Sequence, residues 1–420
     1  MNTNFNKPIS LSLILAIFSL ALGFSQNSVQ ITPNPNDSRV ITTGVPFMLI
    51  APDARSAGMG DMGVATSVDA FSQQWNPSKY VFSEAKSGLG LSYTPYLSRL
   101  VNDISIGYAS YFNRLNEQSA VSASFKYFSL GEIRLTQNET DEGIDVKPNE
   151  FTFDVAYTLR LADQFSMSVA LRYLRSDLAI DQVPNSTARA ANSFGADITG
   201  YYQSEEEAYN DFNGRWRAGF AIQNLGPKFK YDDGGRENFQ PTNLRLGGGF
   251  DFIFDQYNTL AVTAEVSKLL VPTPPITGTR IEYVDNNDNG VYDEGDDELI
   301  DEDPNFIIEG QSTDVSFLSG VFQSFGDAPG GFSEELKEFT WALGAEYRYQ
   351  DSFAFRAGYF NESEEKGARK FFALGAGFRY TTIGVDLSYL FSASQVQSPL
   401  ENTLRFSLTF NFGDGTYNEF

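Results

Sequence analysis

The 420-residue sequence contains no cysteine and no histidine, and its 30 Lys and Arg are outnumbered by 54 Asp and Glu. Without cysteine there is no disulfide, no thiol nucleophile, no Cys-ligated zinc and no lipid-modified N-terminal cysteine. Without histidine the commonest general base and metal ligand is gone, which excludes a Ser–His–Asp hydrolase, a His-zinc enzyme and a His-ligated haem protein. A formal charge of −24 is incompatible with the basic surface that nucleic-acid binding requires. Long apolar runs are scarce too: after Phe24 no stretch reaches the ~18 apolar residues of a membrane-spanning helix. An enzyme would have to work with carboxylates, Lys, Tyr or Ser, and no recognisable nucleophile motif is present, so the sequence reads as non-enzymatic.

What the chain has instead is aromatic residues, 15% of the total, with 37 Phe and 21 Tyr. Its N-terminus, MNTNFNKPISLSLILAIFSLALGFSQ, combines Lys7, an apolar run from Ile9 to Phe24 and small residues Gly23 and Ser25 before Gln26. That is the layout of a cleaved signal peptide over residues 1–25. An N-terminal anchor helix is the alternative, disfavoured because the run is short and no stop-transfer charge follows.

The last regular segment, LRFSLTFNF, alternates Leu404, Phe406, Leu408, Phe410 and Phe412 with Arg405, Ser407, Thr409 and Asn411. Period two means a strand with one apolar and one polar face. Fourteen segments share the pattern: 89–96, 102–112, 119–128, 149–160, 164–174, 193–203, 215–225, 243–254, 258–268, 338–349, 352–360, 370–380, 382–391 and 402–412. Most are near the ~9–11 residues of a tilted membrane strand, and short connections alternate with long ones. The expected fold is all-β, a transmembrane antiparallel β-barrel of about 14 strands in an outer membrane. The expected organisation is a signal peptide (1–25), an N-terminal periplasmic or plug segment (26–88), a barrel (89–412) with a long acidic extracellular loop (269–337), and a tail (413–420). An even strand count would leave both termini in the periplasm.

The polar faces carry both signs. Asp154, Asp197, Asp251, Glu265, Glu346 and Asp386, with Arg160, Arg172, Arg217, Arg245, Arg348, Arg356, Arg379 and Arg405, fall on the lumen parity. Facing lipid, a charge would cost ~2–4 kcal/mol at mid-depth. Inside, these groups form either a structural charge network, which mixed signs favour, or an ion-selective lumen. Ahead of the first strand, PFMLIAP (46–52) and RSAGMGDMGVATSVDAFSQQWNP (55–77), with Gly58, Gly60, Gly63 and Asn76-Pro77, suggest a tightly turning packed unit, naturally housed in the lumen. A phosphate loop at Gly58-Met59-Gly60 lacks the strand–loop–helix context it needs.

Between Ile281 and Asp303 lie eleven acidic residues and no Lys or Arg. Within that run, DNNDNGVYDEGD places Asp285, Asn287, Asn289, Asp293 and Asp296 at loop positions 1, 3, 5, 9 and 12, with Gly290 at position 6 and the Val291 carbonyl at position 7. This is the register of an EF-hand-type calcium loop, with Asp in place of the final Glu and no flanking helices. The competing reading is a solvated acidic loop without a ligand.

The stretch PFMLIAPDARSAGMGDMGVATSVDAFSQQWNPSKYVF (46–82) resembles the N-terminal signature of PorV, also called LptO, an outer-membrane component of the type IX secretion system of Bacteroidota. The same block is distantly similar to the N-terminal hatch of FadL-type channels, where Asn-Pro-Ala is usual and this chain has Asn76-Pro77-Ser78. The resemblance covers essentially the whole mature chain. It implies a fourteen-stranded FadL-like barrel that takes cargo bearing a C-terminal signal domain from the translocon barrel (SprA/Sov-like) and passes it to a PorU-like sortase and attachment complex, or releases it. It also implies docking at the translocon's lateral opening, a setting among outer-membrane lipids, and no required cofactor. The alternative is a FadL-like channel for hydrophobic small molecules.

Overall fold

The computed structural model describes residues 27–35, 37–96, 103–136, 143–178, 188–232, 234–394 and 403–413. The signal segment 1–25 and all of the C-terminal tail except Gly413 lie outside the described residues. Among the described residues there are twenty strands. In chain order they begin β1 (Asn27–Pro33), β2 (Ser87–Pro95), β3 (Ile104–Arg114), β4 (Ser119–Leu130), β5 (Ile133–Leu135) and β6 (Ile144–Val146). Next come β7 (Asn149–Ala162), β8 (Phe165–Asp177), β9 (Ala191–Gln203), β10 (Glu207–Ala208), β11 (Asn213–Leu225), β12 (Asn243–Ile253) and β13 (Asn258–Leu269). The last are β14 (Ile276–Val284), β15 (Glu298–Glu309), β16 (Phe339–Tyr349), β17 (Phe353–Asn361), β18 (Lys370–Tyr380), β19 (Ile383–Ser392) and β20 (Leu404–Phe412).

Fourteen of these close into one antiparallel barrel, in the order β2-β3-β4-β7-β8-β9-β11-β12-β13-β16-β17-β18-β19-β20 and back to β2. The closing seam pairs Tyr93 with Phe406 and Ser87 with Phe412. Closure leaves no open edge in the barrel wall, the only way a sheet can cross a bilayer. Each barrel strand coincides with a segment expected from alternation, to within three residues at either end.

The alternation is realised as an inverted burial pattern. In β7, Phe153, Val155, Tyr157 and Leu159 are exposed on the outer face, whereas Thr152, Asp154, Ala156 and Thr158 are buried inside. Outward aromatics form rows: Phe125–Phe151–Tyr173–Phe194 crosses β4, β7, β8 and β9, and Trp341–Tyr359–Phe372 crosses β16, β17 and β18. Rings standing side by side at the ends of strands are the girdles of a membrane barrel. Very short connections such as 163–164, 350–352 and 381–382 mark one rim. Gln350, Asp351 and Thr381 take positive φ there, as tight hairpin turns demand. The long connections mark the other rim.

Two compact units are present. Residues 27–38 and 275–312 form one: a three-stranded sheet ordered β1-β14-β15. The barrel, residues 39–274 and 313 onward, forms the other. This corrects one expectation. Residues 26–88 are not a single periplasmic or plug segment, because Asn27–Pro33 pairs antiparallel with Gly278–Val284 inside the long acidic connection. The physical reason is local: Val29 and Ile31 alternate with polar residues and find an unpaired edge on β14. That connection is folded rather than a loose acidic loop. It holds the β14–β15 hairpin and two short helices, α1 (Phe317–Gln323) and α2 (Phe332–Glu335).

Candidate functional site

Residues 39–86 run through the barrel. Gly44 N–H donates to Phe239 O and Arg39 pairs with Glu334, both partners belonging to long-rim connections, while Ser87 enters β2 at the short-turn rim beside Asn113. Between those points the segment coils into short helical turns at Pro46–Leu49, Ala54–Gly58, Ser72–Trp75 and Pro77–Phe82. Asp53 caps the second turn through Ser56 N–H at 2.8 Å, and Asn76 caps the fourth through Ser78 N–H. Trp75, Tyr80, Phe47 and Phe71 are almost completely buried, with Phe47 stacked on Phe128 and Tyr80 on Phe112 of the wall, so the segment shares its core with the inner face of the barrel.

The inward faces of the strands hold this plug by polar contacts. Arg55 meets Glu346 of β16 in a two-pronged pair, Nε–Oε2 and Nη2–Oε1 both at 2.9 Å, and reaches Asp69 at 2.8 Å. Glu265 of β13 accepts from the Gly63 and Val64 N–H groups, each at 2.9 Å, and pairs with Arg245 at 2.8 Å. Arg217 of β11 donates to Ala65 O and pairs with Asp251. Lys126 of β4 donates to Met48 O and Ile50 O. The Asn76-Pro77-Ser78 triplet is fixed from three strands: Asn76 Nδ2 donates to Gly200 O, Thr158 Oγ1 to Pro77 O, and Ser166 Oγ to Ser78 O. A fork of donors matched to a carboxylate is stronger and more orienting than a lone neutral hydrogen bond.

Within the plug, Asp53 also accepts from Trp75 Nε1–H at 3.0 Å. Lys79 spends its protons on Gly63 O and Thr66 Oγ1. These groups hold the turns of the plug to one another.

Most of the lumen charges read from strand parity do come together. Arg172 joins Asp154 and Asp197, Arg356 joins Glu346 and Asp386, and Arg405 joins Asp61. Three lie at the short-turn rim instead: Arg160 donates to Asp163 O, Arg348 lies 3.8 Å from Glu346, and Arg379 is exposed. The arrangement is a structural charge network, each sign neutralised by the other. Sequence parity missed the plug's own members, Arg55, Asp61 and Asp69, because a Gly-rich coiled segment has no period to read. It also passed over Lys126, which does sit on the inward parity of its strand.

The plug lies between two cavities. One, about 570 Å³, opens among the long-rim connections and is lined by Phe47, Ile50, Tyr96, Phe128, Phe360 and Arg369. The other, about 930 Å³, is polar and lies at the short-turn rim, lined by Arg55, Asp69, Arg215, Glu346 and Arg379.

The acidic motif forms the tip of the β14–β15 hairpin. Asp285 accepts from Asn289 N–H and from Gly290 N–H (2.7 Å), Asn287 Oδ1 from Asn289 N–H, and Asn289 Oδ1 from Val291 N–H. Asn289 Nδ2 donates to Asp293 at 2.6 Å, and Gly290 turns the chain with φ +77. The structure thus gathers Asp285, Asn287, Asn289 and Asp293. Asp296 is not among them: its neighbour Asp297 turns into the loop, accepting from Asn286 and Asp293 N–H. Among the described residues no three acidic side chains converge on one point, so a cation here would rely on amide and carbonyl oxygens as well.

A closed antiparallel barrel with an apolar outer band, aromatic girdles, a paired-charge interior and an inner plug is an integral outer-membrane barrel protein. Among the described residues no helix is long and apolar enough to cross a membrane. The family model described as "Type IX secretion system protein PorV" matches residues 33–276, more than half of the chain. The chain belongs to the PorV family.

No curated protein matches. Among solved structures the chain is similar to a TodX deltaS2S3 mutant monoaromatic hydrocarbon channel (11% identity, TM-score 0.48, covering 86% of this chain and 99% of that one). It is also similar to the toluene transporters TodX of Pseudomonas putida (12%, 0.47, 89% and 99%) and TbuX of Ralstonia pickettii (13%, 0.46, 87% and 100%).

Proposed function

We propose that this outer-membrane component of type IX secretion is the subunit that receives cargo. It binds proteins carrying a C-terminal signal domain as they leave the SprA/Sov-like translocon barrel, hands them to a PorU-like sortase and attachment complex or releases them, and docks at the translocon's lateral opening. The observation that carries the reading is the family match across residues 33–276. The interior supports it: a plug bonded to eight or more strands, with mutually neutralised charges, suits a rigid scaffold better than a conduit. The acidic β14–β15 hairpin is the proposed contact for cargo or translocon, being long, folded and exposed. Deleting 281–303 and measuring secretion and cargo pull-down tests it. Unchanged capture in a protein that still folds eliminates the hairpin, and normal secretion without the whole chain eliminates the reading.

The alternative, a channel for hydrophobic small molecules, draws on the apolar lining of the long-rim cavity. Uptake of labelled fatty acids into proteoliposomes separates the two. We further propose that the hairpin tip binds calcium through Asp285, Asn287, Asn289, the Val291 carbonyl and Asp293, with Asp296 the expected sixth member. Calorimetric titration with calcium, with Asp285→Ala and Asp293→Ala as controls, should show wild-type heat that both variants lose; no wild-type heat ends the proposal.

A further inference from the structure

Residues 316–338, on the long rim between β15 and β16, are polarised the wrong way for water. Leu318, Phe322 and Phe325 form one stripe on and just beyond α1, and Phe332 and Leu336 form another on and just beyond α2; all five are more than half exposed, Phe322 and Phe332 at 77%. The carboxylates of the same segment point inward, and only Lys337 stays at the surface. Glu334 pairs with Lys366 (2.6 Å) and Arg39, Glu335 with Lys268 (3.2 Å), and Glu338 with both Lys268 and Lys366. A water-facing amphipathic helix buries its apolar stripe and exposes its charges; this segment does the opposite.

The register of β13 says where the segment lies. Thr263 and Glu265 face the lumen, so Ala264, Val266 and Lys268 face outward. Val266 is 42% exposed on the lipid side, yet Lys268, one outward step nearer the long rim, is buried beneath Glu335 and Glu338. Its cross-strand partner Phe339 is outward too, and the Lys268 ammonium lies 5.4 Å from the ring centre. At Lys268 the segment therefore covers the outward side of the wall at the long rim, while Glu338 reaches over to Lys366 at the edge of the long-rim cavity. It also runs directly into the outward row that begins with Phe339 and Trp341 and continues as the Trp341–Tyr359–Phe372 girdle.

The geometry points to residues 316–338 as an interfacial element seated in the outer leaflet, with Leu318, Phe322, Phe325, Phe332 and Leu336 at the boundary between lipid headgroups and acyl chains. The buried carboxylate–ammonium cluster clamps it to the wall, and its apolar stripes continue the lipid-facing surface of β16. Apolar residues on an element lying in the membrane plane are what such a boundary accepts. The inference depends on the barrel's place in the membrane and not on its part in secretion.

The absence of cysteine makes the test direct, since a single introduced thiol is a unique label. Phe322→Cys and Phe332→Cys proteins, spin-labelled and reconstituted alone in phospholipid vesicles, are compared for collision with oxygen and with a water-soluble nickel complex. Leu343→Cys, on the outward face of β16, is the lipid standard, and Asp314→Cys, whose side chain is 99% exposed, is the aqueous one. Heat-dependent migration of each unboiled protein verifies folding, and Leu336→Cys replaces any variant that fails it. The expected result is that labels at 322 and 332 collide preferentially with oxygen, as at 343. Preferential collision with nickel, as at 314, overturns the proposal; that is also the outcome if the stripes await a protein partner.

Discussion

Replacing Glu346 with alanine isolates the bond that ties the plug to the wall. The carboxylate is 2% exposed and accepts three charged N–H groups: two from Arg55 at 2.9 Å and one from Arg356 at 2.6 Å. Its loss leaves two guanidiniums, 10% and 5% exposed, short of a counter-ion. Breaking one member of a buried ion pair typically costs ~3–5 kcal/mol because the remaining charge is stranded. The surviving contacts lower that figure here: Arg55 keeps Asp69 at 2.8 Å and Arg356 keeps Asp386 at 2.6 Å. A cost of about 3 kcal/mol is therefore expected. It should fall on the plug, since the strand ladder of β16 and β17 is backbone-bonded and indifferent to the substitution. At ~1.4 kcal/mol per tenfold change in an equilibrium, amides in 54–69 should exchange roughly a hundredfold faster in hydrogen exchange of the reconstituted protein, while β7 and β8 stay unchanged. The double variant Arg55→Ala, Glu346→Ala should lose less than the sum of the two single losses. No acceleration in 54–69, or an equal one throughout the barrel, would refute the assignment of this pair to plug attachment.

Gly358 of β17 faces the plug where a Cβ would stand 2.1 Å from the Met59 carbonyl carbon, so Gly358→Ala should cost ~1–3 kcal/mol by overpacking and raise proteolytic cleavage within 55–65. Lys268→Met removes the cation shared by Glu335 and Glu338, two carboxylates facing the barrel wall. Release of 325–338 is expected, read as cleavage there by added protease, with the heat-dependent migration of the barrel preserved. On the same rim, burial pushes the Asp327 carboxyl up to about 6 from an ordinary 3.8, a penalty on the folded state above pH 6 that is relieved as pH falls from 6 toward 3.8. Although burial works the other way, Lys366 and Arg39 hold the Glu334 carboxyl down at about 2, so its stabilisation is whole above pH 4.5 and is lost as pH falls through 2. Protection of 317–338 should accordingly rise between pH 7.5 and 5. Asp327→Asn, which keeps an acceptor for Thr273 N–H, should raise protection at pH 7.5 and flatten that dependence; an unchanged slope refutes the assignment.

The barrel was legible in the sequence because a membrane strand permits only one pattern. Lipid on one side and paired charge on the other force period two, and a one-residue slip would put Arg405 or Asp154 into lipid. Hence Lys370–Tyr380 and Ser119–Leu130 could be read almost residue by residue. The plug was legible as a packed unit from its glycines and Asn76-Pro77, but Arg55 was not legible as the partner of Glu346, since contacts across 291 positions leave no local trace. The same distance hid β1: NSVQITP is too short to stand as a strand until β14 offers it an edge. The hairpin and the segment 316–338 escaped for another reason. Dense acidic charge reads as a solvated loop, and apolar residues set among buried carboxylates contradict the pattern that alternation and amphipathicity teach one to seek.

The path of residues 39–86 constrains how this molecule comes into being. The chain meets Glu334 and Phe239 at one rim and delivers Ser87 at the other, so it is a thread through its own barrel, held at both ends. A thread of that kind cannot be fed through a lumen already filled and closed. The segment must lie along the unrolled sheet while the wall is still open, and the β20–β2 seam, from Phe412 on Ser87 to Phe406 on Tyr93, must zip last around it. The plug is thus the core on which the barrel is wrapped, and removing it from the finished protein means unzipping the seam.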